Sequence, residues 1–599
     1  LFDFVTVSGG FGFEKSTQSI VLSDTSSVDT DMLTMGLLNV DAFVGYDSGT
    51  SDTGDDLGMQ LLGVDLAVAI FSEQSGSRKW TSVKAGVDSA SFLGAPVGLS
   101  VSVNTVSIEM NNPASDGTVV DYLITTGEIA ATNLEVLVGP STTVTFDMDD
   151  DKGEYLQVIG NAEFDLFDFV VVSGGFGLEK ASTTIYLSDD TSSSANLLTL
   201  GLLDVDAFVG YDKGTPDSSD DLGMQLQGVD LALALFAEQG GTRQWTSVKA
   251  GIGSAAFLGL PTDLNMTLGT ASIEMNKPAS DGTVIDYVAT GLETQATVLD
   301  VSVGPGTTVI FDMDDSKGEY TQIAGNITLN LFDFITVSGG FGLEKSSSDV
   351  YLSDDTNIIA DLLTIGMLGV DVFFGYDQGT SDSADDIGMQ LLDVDLALAI
   401  FTEQGGTRNW TSVKAAVGSA SFLGLPAELV VALSSAAIEI NKPAADGTVV
   451  DYQITGGETQ ATILEVILGP GVSVSFDMDD DKGECLQVTG VADLSLFGFV
   501  TISGGFGLEK SSQQVHLADG SIVDTDMLTL GGSGLEGFVG MNGPATEPDA
   551  LGLLLSSLTF GLALFAPAKG QSGYEGVTWT SLKAAADGVT FLGLPSELS

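Results

Sequence analysis

The chain has 599 residues, of which 43% are hydrophobic, 17% charged and 75 are glycine, a mix too apolar for a disordered acidic tail. Eighty-three acidic against 19 basic residues give a formal charge of -64, a field that repels nucleic acid and anionic lipid and favours cations. One cysteine, Cys485, excludes an internal disulfide framework, and no apolar run approaches the 18 residues of a membrane helix, so none is expected.

The first predicted element sets the frame. LFDFVTVSGGFGFEK begins at Leu1 and returns in near-identical form at Leu166, Leu331 and Leu496, each 165 residues after the last. The chain is therefore an array of one unit, read as 1–165, 166–330, 331–495 and a partial, divergent 496–599. Within the first unit a polar loop at Ser23 to Asp31 precedes apolar segments at Leu37–Tyr46, Leu61–Phe71 and Val83–Leu93. Val101–Met110, Val119–Thr125, Asn133–Met148 and Tyr155–Val172 follow. Gly, Asp, Ser and Thr break them, β-branched residues abound and helical spacing is rare, so each is a predicted strand.

Three of these segments share a finer step: Asp41, Asp65 and Ser89 recur every 24 residues. A rung of that size would fit about seven times into a unit, at about 4.8 Å per rung. The expected fold is all-β, an elongated repeat array in the form of a β-solenoid or open β-trough, with tandem β-sandwiches as the alternative. Alternation at the unit boundary puts Ala162, Phe164, Leu166, Val170 and Val172 on a core face opposite Asn161, Glu163 and Asp165. Asp168 and Asp333 fall in register with that core face, where Gly498 stands in the fourth unit, while Phe167, Phe169, Phe332 and Phe334 form an outer stripe. SGGFG has the look of a turn or bulge.

Two acidic stretches are candidate cation sites. The loop from Tyr46 to Gly58 repeats its carboxylates three times: Asp47, Asp52, Asp55 and Asp56; Asp212, Asp217, Asp220 and Asp221; Asp377, Asp382, Asp385 and Asp386. Calcium takes six to eight oxygens, which such a loop can supply, and a solvated loop is the plain alternative. FDMDDDKGE offers Asp147, Asp149 and Asp151, with Asp312 and Asp314 and then Asp477, Asp479 and Asp481 in its later copies. It lacks EF-hand spacing and reads also as an acidic hairpin tip turning at DKG. Arg78, Trp80 and Lys84, repeated at Arg243, Trp245, Lys249 and at Arg408, Trp410, Lys414, suit a cation–π pair, a sugar platform or, best, a core Trp, since Trp579 persists without the Arg. His516 is the only histidine, so no repeated His-based triad or zinc site exists, and no enzyme is expected.

WTSVKAGVDSASFLG from Trp80, GVDLALALF from Gly228 and the run from Val144 through GGFGLEK, with GFVGMNGP and FGLALF late in the chain, resemble the long repeats of giant bacterial secreted and cell-surface adhesin-like proteins of the LEPR-XLL type. The resemblance implies an extracellular or cell-surface structural segment that self-associates into fibres or lateral bundles, stiffened by Ca2+, with cell-surface or glycan ligands. The competing class is a binding module holding glycan or hydrophobic cargo in a trough.

Overall fold

The computed structural model describes every residue except 1–4, 47–56, 94–98, 126–129, 167–169, 212–221, 259–263, 290–294, 314, 332–334, 377–386, 424–428, 455–459, 498, 569–570, 572, 575–576 and 594–599. The protein is all-β: no α-helix occurs among the described residues, and the only helical pieces there are single 3-10 turns at Asp150–Lys152, Asp315–Lys317 and Asp480–Lys482. Contacts divide the chain into two compact units, one of residues 1–260 with 272–321 and one of 261–271 with 322–599.

In the first unit β1 (Val5–Val21), β2 (Ser27–Tyr46), β3 (Leu57–Glu73), β4 (Lys79–Leu93) and β5 (Leu99–Asn112) pair antiparallel in chain order. The small hairpin β6 (Glu135–Gly139) and β7 (Thr142–Thr145) then interrupts the sheet, which resumes at β8 (Tyr155–Leu166) paired to β5. The next repeat continues without a spacer through β9 (Val170–Tyr186), β10 (Ser192–Tyr211), β11 (Leu222–Glu238) and β12 (Gln244–Leu258). β13 (Leu264–Lys277) spans the division, and β14 (Asp300–Gly304) with β15 (Thr307–Ile310) repeats the small hairpin.

The second unit repeats the plan. β16 (Tyr320–Leu331) is followed by the meander β17 (Ile335–Tyr351), β18 (Asn357–Tyr376), β19 (Ile387–Glu403), β20 (Asn409–Leu423) and β21 (Leu429–Lys442). After the hairpin β22 (Glu465–Gly469) and β23 (Val472–Ser475) come β24 (Cys485–Leu496), β25 (Val500–His516), β26 (Ile522–Met541) and β27 (Leu551–Pro567). β27 closes this ladder against β28 (Trp579–Ala585) and β29 (Gly588–Leu592).

Strand direction alternates at every step, so the ladder is a meander and not a coil of parallel rungs. The 24-residue step is one strand plus one turn, and its aspartates have a local purpose. The register shifts around Val40, and there Asn39 N donates to Asp65 Oδ1 at 2.7 Å while Gly63 N donates to Asp41 Oδ1 at 3.0 Å. Asn39 and Gly63 both take positive φ, 47° and 62°, so each carboxylate satisfies an amide that the bulge removes from the ladder. Asp204, Asp206 and Asp230 repeat the arrangement, and so do Asp371, Asp393 and Asp395. SGG is also a bulge, with a register shift between Ser8 and Gly10 and φ 152° at Gly9.

The expected core face at the repeat boundary is only half-buried: Ala162 and Phe164 remain partly accessible, and so does Val172. Asp168, Asp333, Gly498 and the stripe of Phe167, Phe169, Phe332 and Phe334 lie outside the described residues. Full burial occurs elsewhere, under the hairpin inserts. In the first repeat Ile20, Leu22, Ala67, Ala69, Phe71 and Trp80 of the sheet close on Val120, Leu134, Val136, Val138, Phe146 and Met148 of the insert. Equivalent clusters centre on Trp245 in the same unit and on Trp410 in the second.

Candidate functional site

The insert is the one part of each repeat that is not sheet, and it is built to lie on the sheet. After β5 a turn closes with Ala114 N donating to Thr118 O at 2.9 Å, and Leu22 then bridges to Val120. Asp121 N donates to Val21 O and Thr132 N to Asp121 O, so the insert's backbone polar groups are met as the chain crosses the face. Beneath it runs a buried polar relay: Tyr122 OH donates to Ser82 Oγ at 2.7 Å, Ser82 Oγ to Asn111 Oδ1 at 3.1 Å, and Asn111 Nδ2 to Val120 O at 2.7 Å. Tyr287, Ser247 and Asn276 reproduce it, as do Tyr452, Ser412 and Asn441. Burial pushes all three tyrosine hydroxyls far above their ordinary range, so they stay neutral donors.

The hairpin tip needs bare backbone beneath it. Gly12 and Gly36 are cross-strand partners, and a Cβ on either would sit 2.1 or 2.2 Å from Leu137 O. The pair Gly177 and Gly201 meets Ser302 O at 2.1 Å on the same construction, and Gly342 and Gly366 meet Ile467 O at 2.3 and 1.8 Å. Any side chain at these positions would lift the hairpin off. The phenylalanine of the same GFG run serves the neighbouring strand: Phe176 stands opposite Gly160 in the β8–β9 pairing and covers it.

Trp80, Trp245 and Trp410 are at most 1% exposed, and each indole donates to a threonine carbonyl of the insert turn, Thr118, Thr283 or Thr448, at 3.0 Å. Arg78 lies 5.2 Å over the Trp80 ring and bridges Glu73 at 2.9 Å to Asp116 at 3.0 Å, so the cation–π pair and the core Trp are both present. Arg243 and Arg408 do the same. The hydrogen bond from Arg78 lowers the Glu73 carboxyl below its ordinary range; Asp116 is lowered first by the Thr118 hydroxyl, then by its backbone and Arg78. With its edge spoken for and its face under Arg78, Trp80 offers no platform to a sugar.

Of the predicted cation ligands, Asp47, Asp52, Asp55, Asp56, Asp212, Asp217, Asp220, Asp221, Asp377, Asp382, Asp385, Asp386 and Asp314 lie outside the described residues. Asp147, Asp312 and Asp477 are each drawn into an ion pair, with Lys84, Lys249 and Lys414. Burial works against those lysine charges, but the Asp and a strand glutamate outweigh it for Lys84 and Lys249, whose pKa values rise. Asp149 caps the 3-10 turn by accepting from Asp151 N at 3.0 Å, and Asp479 does so from Asp481 N. The carboxylates that come together are consecutive: Asp149, Asp150 and Asp151, and likewise Asp479, Asp480 and Asp481, have ligand oxygens within 4.8 Å of one another. The central, buried Asp150, Asp315 and Asp480 were not among the sequence candidates. Three carboxylates cover about half of a calcium shell, and carbonyls or water would complete it.

A second feature invisible to motif reading joins DKGE to GLEK. Lys152 meets Glu179 at 3.0 Å and lies 4.7 Å over the Tyr155 ring, while Glu154 meets Lys180 at 2.8 Å. In the second unit Lys482 meets Glu509 at 3.7 Å and Glu484 meets Lys510 at 2.8 Å. The end of one repeat's insert is thus latched to the first strand of the next. Oppositely charged pairs at two adjacent positions fix the register as well as the contact.

Comparison with family models and with curated protein sequences gives no match. Among solved structures the chain is similar to the closed form of the ferric-catecholate import receptor Fiu from E. coli K12, at 11% identity over 93% of this chain and 77% of that one, with a TM-score of 0.16. No helix among the described residues is long and apolar enough to cross a membrane.

Proposed function

We propose that this chain is a structural segment of a bacterial extracellular fibre or cell-surface adhesin, in which the repeat itself is the product. One observation carries the reading: within each unit, a repeat passes to the next through a full antiparallel ladder, Leu156–Leu166 on Val170–Lys180 and Leu486–Leu496 on Val500–Lys510. Successive repeats are therefore sheet neighbours and not beads on a linker, and pulling them apart requires breaking a whole ladder together with the Lys152–Glu179 type latch. Every repeated charged or aromatic constellation that is described has a structural partner, which supports a scaffold over a catalyst. Calcium at the Asp149–Asp151 and Asp479–Asp481 turns would relieve the crowding of carboxylates and stiffen the junction between repeats.

Electron micrographs of the purified chain across a concentration series test the fibre, with end-to-end or lateral assemblies expected; isolated particles at every concentration overturn it. Thermal melts test calcium separately. Saturating Ca2+ should raise the melting temperature above that in EDTA, and equal transitions remove the ion from the proposal.

A further inference from the structure

The face that carries an insert in the first three repeats is bare in the fourth, although the residues that receive an insert are still there. Gly507 and Gly531 are cross-strand partners at the places of Gly342 and Gly366. No atom lies within 3.7 Å of a Cβ built on either, where the earlier pairs meet a carbonyl at 1.8 to 2.3 Å. Glycine inside a strand costs about 1 kcal/mol against alanine, and here nothing described in the structure repays it. Met527, Phe565 and Trp579 stand opposite one another as Leu362, Phe401 and Trp410 do. The earlier three are at most 4% exposed, whereas Met527, Phe565 and Trp579 are all only half-buried. Two adjoining grooves of about 500 and 420 Å³ result, one over the glycine pair and one over Phe565 and Trp579.

Charge points the same way. Lys583 pairs with Gly561 across the strands as Lys414 does with Ala397. Lys414 binds Asp477 of its insert and Glu439 of its strand, but among the described residues Lys583 has no ion-pair partner and lies exposed on the groove.

We propose that this face of the fourth repeat is an acceptor for a polypeptide insert of the kind seen in residues 443–484: a hairpin whose tip carbonyl seats on Gly507 and Gly531, whose apolar side covers Met527, Phe565 and Trp579, and whose FDMDD aspartate pairs with Lys583. The known inserts dictate the chemistry of the occupant: main chain at the glycines, aromatic and aliphatic groups beside them, and a carboxylate at the lysine.

The test uses the full chain and a synthetic peptide of residues 443–484. Because Trp80, Trp245 and Trp410 are already enclosed, peptide binding should blue-shift Trp579 emission and saturate. Gly531→Val should weaken binding roughly tenfold or more by placing a branched side chain under the hairpin tip. Lys583→Glu, an exposed change that leaves the fold alone, should weaken it in the wild-type peptide and recover binding with a peptide carrying Asp477→Lys. No saturable shift, or a shift indifferent to both substitutions, overturns the proposal. So does concentration-dependent dimerisation through this face that excess peptide fails to disperse, which would assign the face to a second copy.

Discussion

Trp245 shows what a single side chain does here. It is 1% exposed, its indole bonds to Thr283 and Arg243 covers its ring at 5.1 Å. Trp245→Ala should therefore cost about 3–5 kcal/mol, read as a lower denaturant midpoint, whereas Trp579→Ala, half-buried at the matching place, should cost markedly less. Acid acts on the carboxylates around the arginines. Glu73, Glu238 and Glu403 are held below their ordinary range first by hydrogen bonds from Arg78, Arg243 and Arg408, so their contribution is complete above the unfolded carboxylate range near pH 4 and is lost as pH falls through the folded values. Protonation also relieves general repulsion, which has the opposite sign. In about 1 M salt, where repulsion is screened, the melting temperature should fall below about pH 4, and less steeply in an Arg78→Gln, Arg243→Gln, Arg408→Gln variant. The core role of Trp was legible because it outlived its arginine in the fourth repeat. The bulge-capping role of Asp41 and Asp65 was not, because a carboxylate on a strand looks the same whether it faces water or an orphaned amide.

At the scale of elements, the insert and its glycine window form the working pair. Gly366→Ala should destabilise the third repeat and expose its insert to limited proteolysis, since the new Cβ would lie 1.8 Å from Ile467 O. Gly531→Ala, with open space above it, should be neutral or slightly stabilising through strand propensity. Equal effects of the two substitutions would remove the hairpin from the explanation. The strands themselves were readable from period-two alternation and their polar breaks. Their pairing was not: a strand plus a turn in a meander is as long as a rung in a solenoid, and alternation is identical in both. The acidic FDMDDDKGE stretch was rightly a turn, but its latch depends on Glu179 and Lys180 in the following repeat, and nothing local announces that Lys152 and Glu154 are their counterparts.

For the whole molecule, the 165-residue period was plain, because whole phrases recur without slippage over three steps. The formal charge of -64 leaves most carboxylates without a basic partner, as only 19 lysines and arginines exist to serve 83 acids. Raising ionic strength from about 0.01 M, where the screening length is about 30 Å, to about 0.15 M should therefore raise the melting temperature. A flat salt response would mean that the repeated ion pairs already balance the repulsion.

The contact at the paired glycines is made by main chain on both sides: Leu137, Ser302 and Ile467 present the same carbonyl from three different residues. Such a junction cannot tell one guest from another. Copies of the unit can drift in sequence at the tip of the hairpin without losing their seat, and a hairpin transplanted from one copy should settle on the sheet of any other. Only covalent connection decides which guest arrives first.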